Sequence, residues 1–243
     1  LGLPRIANFD DFDPLKAEPG VRVRYVASIH ELGHPNAIII PGTKSTIADL
    51  EWLRQSELAE AVTHFAQQSA AVVGICGGYQ MLGETIYDSH HVESNADHIS
   101  GLGLLPITTQ FLKDKATYQV QAYIHGKDGW MSRLNDSVVS GYEIHSGETQ
   151  TQSSWLEIIY RNGEQVKIAD GSVSSDGKIW GCYLHGIFEN DLFRHAWLES
   201  IGWQDHDRVS SQIESFTQSL DALADAVEGA LNMELLEKII WAD

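Results

Sequence analysis

The sequence predicts an α/β fold in which helices flank a mostly parallel sheet, with antiparallel strands added to the sheet in the second half. Short apolar runs at residues 37–40 and 70–75 are each followed by a helical pattern, which is typical of strand-helix units. From residue 101 onward, strand patterns follow one another with few helices between them. A chain of 243 residues can bury one principal core of this kind.

The composition narrows the range of partners and compartments. Thirty-four acidic and 16 basic residues give a formal charge of −18, which repels a phosphate backbone, so we expect no nucleic-acid partner. No apolar run approaches the roughly 20 residues that span a bilayer, so we expect a water-soluble protein without a membrane partner. Two cysteines and no C-x-x-C pair argue against a disulfide framework and a zinc site, and they fit the cytoplasm.

The opening stretch carries three acids, Asp10, Asp11 and Asp13, beside Phe9 and Phe12. Carboxylates this close together can form a functional cluster. Acids next to aromatic residues in a turn are more often exposed to solvent, with the aromatic rings as anchors. We therefore expect an exposed turn here.

Two strands and two helices follow. Residues 21–27 alternate as a strand, residues 37–40 read as a buried strand, and helices are predicted at 46–54 and 57–68. Gly42 turns the chain directly after the second strand. Backbone N–H groups of such a loop can bind an oxyanion, although an ordinary strand-helix turn explains the glycine equally well.

A cysteine lies at the join between the next strand and helix. Residues 74–78 read G-I-C-G-G, the spacing of a nucleophile elbow, in which a strained turn exposes the nucleophile above the sheet. The start of the helix also favours the thiolate form of Cys76. A buried structural cysteine is the usual alternative, but glycines on both sides favour a nucleophile.

A polar stretch at residues 87–101 holds three His, two Asp and one Glu. These residue types can bind a metal, but their spacing is irregular, so we expect a mobile acidic loop and no metal site. Strand patterns at 101–105, 117–124, 141–147 and 155–160 then predict the antiparallel additions.

The last strand pattern, residues 180–184, ends at His185. A histidine at a strand end beside a glycine can serve as general base for a thiol on a neighbouring strand. Cys182 lies within this strand and reads as core. A helix at residues 191–200 follows, capped by Asn190.

We divide the chain into a principal domain, residues 1–205, and a C-terminal helical extension, residues 206–243, that packs on this domain or on a partner. Ser211 and Glu214 form a capping box at the start of the first helix in the extension. Residues 232–241 are predicted to form a last short helix.

Four motifs, taken in order, resemble one protein family. They are PGTKSTIADLEWLR from Pro41, GICGG from Gly74, GYEIHSG from Gly141 and YLHGIFEND from Tyr183. Together they resemble the glutamine amidotransferase domains of the cobyric acid synthase family across nearly the whole chain. The resemblance implies the class I, triad-type amidotransferase fold, with a flavodoxin-like sheet, for residues 1–205.

The resemblance also implies roles for individual residues. Cys76 is the nucleophile, His185 is its general base, and N–H groups at Gly42 and Gly77 form the oxyanion hole. The residues implied to bind glutamine are Gln80, Ser146 and Gly147, the last two in a turn after their strand. By sequence alone, Gln80 can equally be a solvent-facing helix residue.

By the same resemblance, the domain hydrolyses glutamine through a thioester on Cys76. The ammonia amidates corrin side-chain carboxylates and converts adenosylcobyrinic acid a,c-diamide to adenosylcobyric acid in cobalamin biosynthesis. An N-terminal synthase domain, absent from this sequence, performs that step with ATP and magnesium, and we expect no cofactor in this chain. Three alternatives stay open: another acceptor, such as cobyrinic acid or a cell-wall precursor; a non-catalytic interaction domain; and a different cysteine hydrolase.

One position departs from the triad pattern. Many triad amidotransferases hold the catalytic histidine with a Glu two residues later, and that position is Ile187 here. Glu189 is the nearest acid in sequence, but its side chain has no assured path back across the turn. We expect Cys76 and His185 to work as a dyad within this chain, with His185 oriented by a backbone carbonyl or by a carboxylate of the synthase partner.

Overall fold

The computed structural model describes residues 1–127, 129–204, 212–232 and 239. The chain divides into two compact units, Leu1–Asp205 and His206–Asp243. The predicted cap at Ser211 and nearly all of the predicted helix at 232–241 lie outside the described residues. None of the helices in the described ranges combines the length and apolar character needed to cross a membrane.

The α-helices of the described residues are α1 (Asp13–Ala17), α2 (Ile29–Leu32), α3 (Thr46–Gln55), α4 (Leu58–Gln67), α5 (Gly77–Leu82), α6 (Asp191–Ser200) and, in the second unit, α7 (Gln212–Ala230). Short 3-10 helices span Phe9–Phe12, Gly129–Leu134 and Ile187–Glu189. The predicted helices at 46–54, 57–68 and 191–200 are thus confirmed, with ends that differ by at most one residue.

The strands of the described residues are β1 (Ala37–Ile40), β2 (Ala71–Ile75), β3 (Thr85–Tyr87), β4 (His98–Ser100), β5 (Thr108–Ile124), β6 (Val138–Gln150), β7 (Leu156–Arg161), β8 (Glu164–Asp170), β9 (Ser172–Val173) and β10 (Ile179–Cys182).

The first sheet has the order β1-β2-β10-β9. Its first three strands are parallel, with Ala37 paired to Ala71 and Ile179 to Val72, and only β9 is antiparallel. Every residue of β2 is buried, as expected for a central parallel strand covered on both faces. The carboxyl ends of β1, β2 and β10 therefore meet at one edge, where open α/β sheets bind ligands.

The antiparallel strands predicted for the second half are present, but most of them do not join the first sheet. They form a second sheet of order β4-β3-β5-β7-β8, in which β6 also pairs with β5, and only β9 extends the first sheet. The physical reason is that β5 bonds to β6 along one edge and to β7 along the other, so its backbone groups are satisfied away from the parallel strands.

The predicted strands at 21–27 and 101–105 are wrong. Residues 21–27 are in no ladder, because the start of the chain lies between them and β1. The Leu1 nitrogen donates to the Ile39 carbonyl of β1 at 2.5 Å, and the Gly2 N–H donates to the Val26 carbonyl at 2.8 Å. Residues 101–105 instead donate their N–H groups to the carbonyls of residues 81–84, at and just after the end of α5.

The predicted mobile loop at residues 87–101 is anchored through two of its acids, Asp88 and Glu93. Asp88 is fully buried and accepts the N–H groups of Val92, Glu93 and Ser94 at 2.6, 3.0 and 2.8 Å. Glu93 in turn accepts the N–H of Ile47 at 3.0 Å and so caps α3 from a distance. Among the described residues, no three His, Cys, Asp or Glu side chains are grouped to hold a metal ion.

Candidate active site

Three loops converge at the carboxyl edge of the parallel sheet. Gly42 follows β1, Cys76 follows β2, and His185 follows β10. An ideal Cβ built on Gly42 would lie 2.8 Å from Cε1 of His185 and 3.6 Å from Cβ of Cys76. The three residues therefore surround one small space, and any side chain at position 42 would fill it.

Cys76 has the backbone of a nucleophile elbow. Its φ of 51° and ψ of −110° place a non-glycine residue in a strained region between β2 and α5. The turn is tight: an ideal Cβ on Gly78 would lie 1.9 Å from the Ile40 carbonyl oxygen, and one on Gly74 would lie 2.6 Å from the carbonyl oxygen of Gly78. Glycine is required at both positions because the backbones touch.

We expect alkylation by iodoacetamide to label Cys76 well before Cys182. Cys76 is 6% exposed at the edge of the sheet, whereas Cys182 is fully buried in β10, and burial raises the pKa of its thiol well above the ordinary value. Mass spectrometry of the peptides at early times measures both rates. Equal labelling of the folded chain would contradict the elbow assignment.

His185 is held by strand β6. Its N–H donates to the Tyr142 carbonyl at 2.9 Å, and the Tyr142 N–H donates to the His185 carbonyl at 3.1 Å. The two rings also stack, with centroids 5.1 Å apart. Strand β6 borders the nucleophile as well, because the Ile144 carbonyl oxygen lies 3.6 Å from Sγ of Cys76.

The structure contradicts the expectation that His185 finds no acid within this chain. Asp11 places Oδ2 2.6 Å from Nδ1 of His185, and its Oδ1 accepts the Gly186 N–H at 2.9 Å. Both side chains are buried, with 4% and 1% exposure. Glu189 is exposed and occupies no such position, so Asp11 is the acid that orients His185.

The opening turn is therefore only partly exposed. Within the Phe9–Phe12 helix, Phe9 and Asp10 face solvent, while Asp11 and Phe12 are buried. Phe12 packs toward Phe188, with ring centroids 6.4 Å apart. This packing turns Asp11 inward, and the sequence carries no signal that distinguishes it from its neighbouring acids.

The opening segment is also held in place by an ion pair at Glu18. Glu18 accepts a hydrogen bond from Nε of Arg194 at 2.7 Å, and both side chains are buried. Asn8 places its amide nitrogen 3.1 and 3.2 Å from the two ring nitrogens of His185, so the amide lies against the ring. Asn8 and Asp11 thus border His185 on one side of the site.

The pKa of His185 reflects these contacts. Burial lowers this pKa, but the hydrogen bond to Asp11 and the interactions with Cys76 outweigh burial and raise it to about 10. At neutral pH the imidazole is then protonated. It can stabilise a thiolate on Cys76 and hold a proton for a leaving group.

The turn that follows Gly42 lies against Gly77, the second predicted oxyanion residue. An ideal Cβ on Gly77 would lie 3.3 Å from the backbone nitrogen of Thr43, the residue after Gly42. Within the part of the chain that the structure describes, the N–H groups of Gly42, Thr43 and Gly77 have no protein acceptor. Free N–H groups beside a nucleophile are the donors that an oxyanion requires.

Gln80 is buried, which excludes the solvent-facing interpretation. Its Oε1 accepts the Thr46 hydroxyl at 2.9 Å, and its Nε2 donates to the Tyr183 hydroxyl at 3.1 Å. An ideal Cβ on Gly147 would lie 2.3 Å from that Nε2, so Gln80 and Gly147 are adjacent. Their contact with glutamine stays a prediction.

Ser146 and Gly147 do not lie in a turn. Strand β6 continues through both of them to Gln150, and the irregularity lies in its partner strand, between Phe111 and Ala116. The sequence pattern suggested a turn because the Ser-Gly pair is a frequent turn signal. Long pairing with β5 overrides that local signal.

Comparison with known proteins identifies the family of this chain. Residues 1–193 match the CobB/CobQ-like glutamine amidotransferase domain. The chain is 47% identical over 242 residues to cobyric acid synthase of Chloroflexus aggregans, covering 98% of this chain and 47% of that protein. For the Herpetosiphon aurantiacus enzyme of the same name, the identity is 44%, with 99% and 46% covered. The chain thus spans about half the length of these curated relatives.

Solved structures support the fold. A glutamine amidotransferase crystal structure superposes with a TM-score of 0.55 at 16% identity, covering 82% of this chain and 96% of that chain. PurLQS from Thermotoga maritima gives 0.58 at 15% identity, with 82% and 93% covered. The family match, the identities and the shared fold show that this chain belongs to the CobB/CobQ-like glutamine amidotransferase family, as a class I glutamine amidotransferase domain.

Proposed function

We propose that this domain hydrolyses glutamine through a thioester on Cys76 and supplies the ammonia to an ATP-dependent synthase half of the same enzyme. The observation that carries the proposal is the buried row formed by Asp11, His185 and the Cys76 elbow. Each member has the neighbour that its role requires: an acid on Nδ1 of the base, and a strained turn under the nucleophile.

The reaction begins when the Cys76 thiolate attacks the side-chain amide carbon of glutamine. The N–H groups around Gly42 and Gly77 stabilise the tetrahedral oxyanion, a contact worth about 3 kcal/mol per donor. His185 gives its proton to the departing ammonia, and a thioester remains. Water then attacks with His185 as base, which releases glutamate and restores the thiolate-imidazolium pair.

Asp11 acts on both steps through His185. It holds the proton on Nδ1, so that Nε2 is the nitrogen that exchanges protons, and it stabilises the imidazolium. It touches neither glutamine nor the reacting atoms, so its role is positioning. Gln80, Ser146 and Gly147 bind the glutamine beside this centre in our proposal, and the adjacency of Gln80 to Gly147 supports it.

The ammonia has to be captured before it escapes. We propose that a synthase half, lying outside these 243 residues, uses it with ATP and magnesium to amidate corrin side-chain carboxylates, which gives adenosylcobyric acid in the cytoplasm. The support is twofold: the relatives carry the name cobyric acid synthase, and this chain spans only about half of each. A different acceptor is the principal competing proposal.

Glutamine turnover should depend on the synthase half. We expect the isolated domain to be a poor glutaminase, and we expect addition of the synthase half with ATP and corrin substrate to raise its kcat, because a domain that feeds a partner gains from staying slow until the partner docks. Glutamate release measures both states. Full glutaminase activity of the isolated domain would favour an independent hydrolase. Stimulation only by a different carboxylic acid substrate would show that the acceptor is not the corrin.

A further inference from the structure

One buried carboxylate joins the turn at residues 42–44, which we call the oxyanion turn, to the opening segment of the chain. Asp49 lies on α3, and its side chain is fully buried. Its Oδ2 accepts the Thr43 hydroxyl at 2.5 Å and the Arg5 N–H at 3.2 Å, while Oδ1 faces Nη1 of Arg5 at 3.0 Å. A fully buried carboxylate is costly unless its oxygens are bonded, and these contacts satisfy both of them.

Thr43 is the residue through which Asp49 reaches the site. The Thr43 hydroxyl is bound to Asp49, lies 3.1 Å from the Arg5 carbonyl and accepts the Ser45 N–H at 3.2 Å. The other side of Thr43 lies against the elbow: an ideal Cβ on Gly77 would be 2.8 Å from Thr43 Cγ2 and 3.3 Å from its backbone nitrogen. A shift of Thr43 would therefore move a backbone N–H that faces the oxyanion site.

Backbone hydrogen bonds to the opening segment also fix the orientation of the peptide group between Gly42 and Thr43. The Gly42 carbonyl accepts the Ala7 N–H at 2.9 Å, and the Lys44 N–H donates to the Arg5 carbonyl at 3.0 Å. No peptide bond among the described residues is cis, so the Thr43 N–H points opposite to the Gly42 carbonyl and away from Ala7. Because the Gly42 carbonyl is bonded to the opening segment, the Thr43 N–H is directed to the opposite side of the turn.

We propose that Asp49 is a positioning residue for the oxyanion hole, acting through the Thr43 hydroxyl to hold the turn at residues 42–44 against the Cys76 elbow. This inference rests on the proposed glutaminase function and adds a residue to it. Because Asp49 also binds Arg5, the oxyanion turn and the segment that carries Asp11 are held by the same carboxylate.

The test compares Thr43→Val with Thr43→Ser in the complete enzyme. Valine keeps the shape but removes the hydroxyl, and serine keeps the hydroxyl. Loss of one oxyanion donor costs about 10²–10³ in kcat, and a displaced donor costs less. We expect Thr43→Val to lower kcat for glutamine hydrolysis by about 10–100-fold with little change in KM, and Thr43→Ser to recover most of it.

Two further readouts separate positioning from a general loss of structure. Alkylation of Cys76 by iodoacetamide and amidation with ammonia do not use an oxyanion at the elbow, so both should proceed at wild-type rates in Thr43→Val. Thr43→Ala provides a second variant without the hydroxyl, for use if valine prevents folding. The same loss of kcat is expected from it.

Equal kcat for glutamine in Thr43→Val, Thr43→Ser and wild type would overturn the inference while leaving the proposed function intact. A parallel fall in alkylation and ammonia-dependent amidation would also overturn it, since the effect would then be structural. A wild-type enzyme that makes no use of glutamine would overturn the proposed function, and this inference with it.

Discussion

Replacing Cys76 with serine should abolish glutamine-dependent amidation by the complete enzyme and leave ammonia-dependent amidation intact. Serine keeps the size of the side chain but lacks a thiolate, so no thioester forms at neutral pH. Added ammonia bypasses the glutaminase step, because only the source of nitrogen is lost. Product formation with glutamine and with ammonium chloride, measured side by side, gives both activities.

Cys182→Ala is the matched control. The thiol of Cys182 is fully buried in β10 and faces the Leu184 carbonyl, while the Cys182 backbone carbonyl accepts the Cys76 N–H at 2.9 Å. Alanine keeps that backbone bond, so the substitution affects packing but not the chemistry. We expect glutamine-dependent activity within about threefold of wild type in a folded variant, since a core contact is lost without a reacting group. If Cys76→Ser lost both activities together, the proposal that this domain only supplies ammonia to the synthase half would be wrong.

Replacing Asp11 with asparagine should lower glutamine-dependent activity by about 10³–10⁴-fold. Neutralising the acid of a comparable triad costs about 10⁴ in kcat, because the histidine is left in the wrong tautomer. Asparagine can still accept the Gly186 N–H, so the turn is kept while the charge is lost. Steady-state glutamate release by the complete enzyme measures the effect.

Two acids close by serve as controls. Asp10 and Glu189 are both exposed, and neither side chain bonds to His185. Asp10→Asn and Glu189→Gln should each stay within about tenfold of wild type, since neither removes the acid of the triad. A loss of thousands in Glu189→Gln, with Asp11→Asn nearly unaffected, would reverse the assignment of the third residue.

The Asp11 assignment also predicts a pH dependence of stability. The pKa of His185 is raised from its ordinary value of 6.5 to about 10 in the folded chain, so the interaction contributes in full below pH 6.5 and is lost as the pH rises through about 10. The difference in Tm between wild type and Asp11→Asn should therefore be largest near pH 6 and should narrow toward pH 10. A constant difference would exclude a charged pair.

Local sequence predicts the elbow at the centre of the candidate site, and the structure has that turn. The elbow was predictable because the glycines beside Cys76 act on the turn itself, where backbones approach within van der Waals contact. Strands β1 and β2 follow from short apolar runs, and helix α4 follows from an amphipathic pattern, because each pattern reflects the burial of its own segment.

Pairing between distant segments was not predictable in the same way. Residues 21–27 have a strand pattern but join no ladder, and β6 runs through a Ser-Gly pair that locally favours a turn. In both cases the outcome depends on which backbone edge another segment occupies. That information is absent from the segment itself.

Short motifs with fixed spacing predict Cys76 as nucleophile, His185 as its base and the family, and the comparisons confirm the family. The residue that orients His185 follows from the tertiary structure alone. Asp11 lies 174 residues away in the chain and looks like its exposed neighbours Asp10 and Asp13. It becomes the third residue of the site because Phe12 packs toward Phe188 and Glu18 pairs with Arg194, and these contacts exist only after the chain has folded.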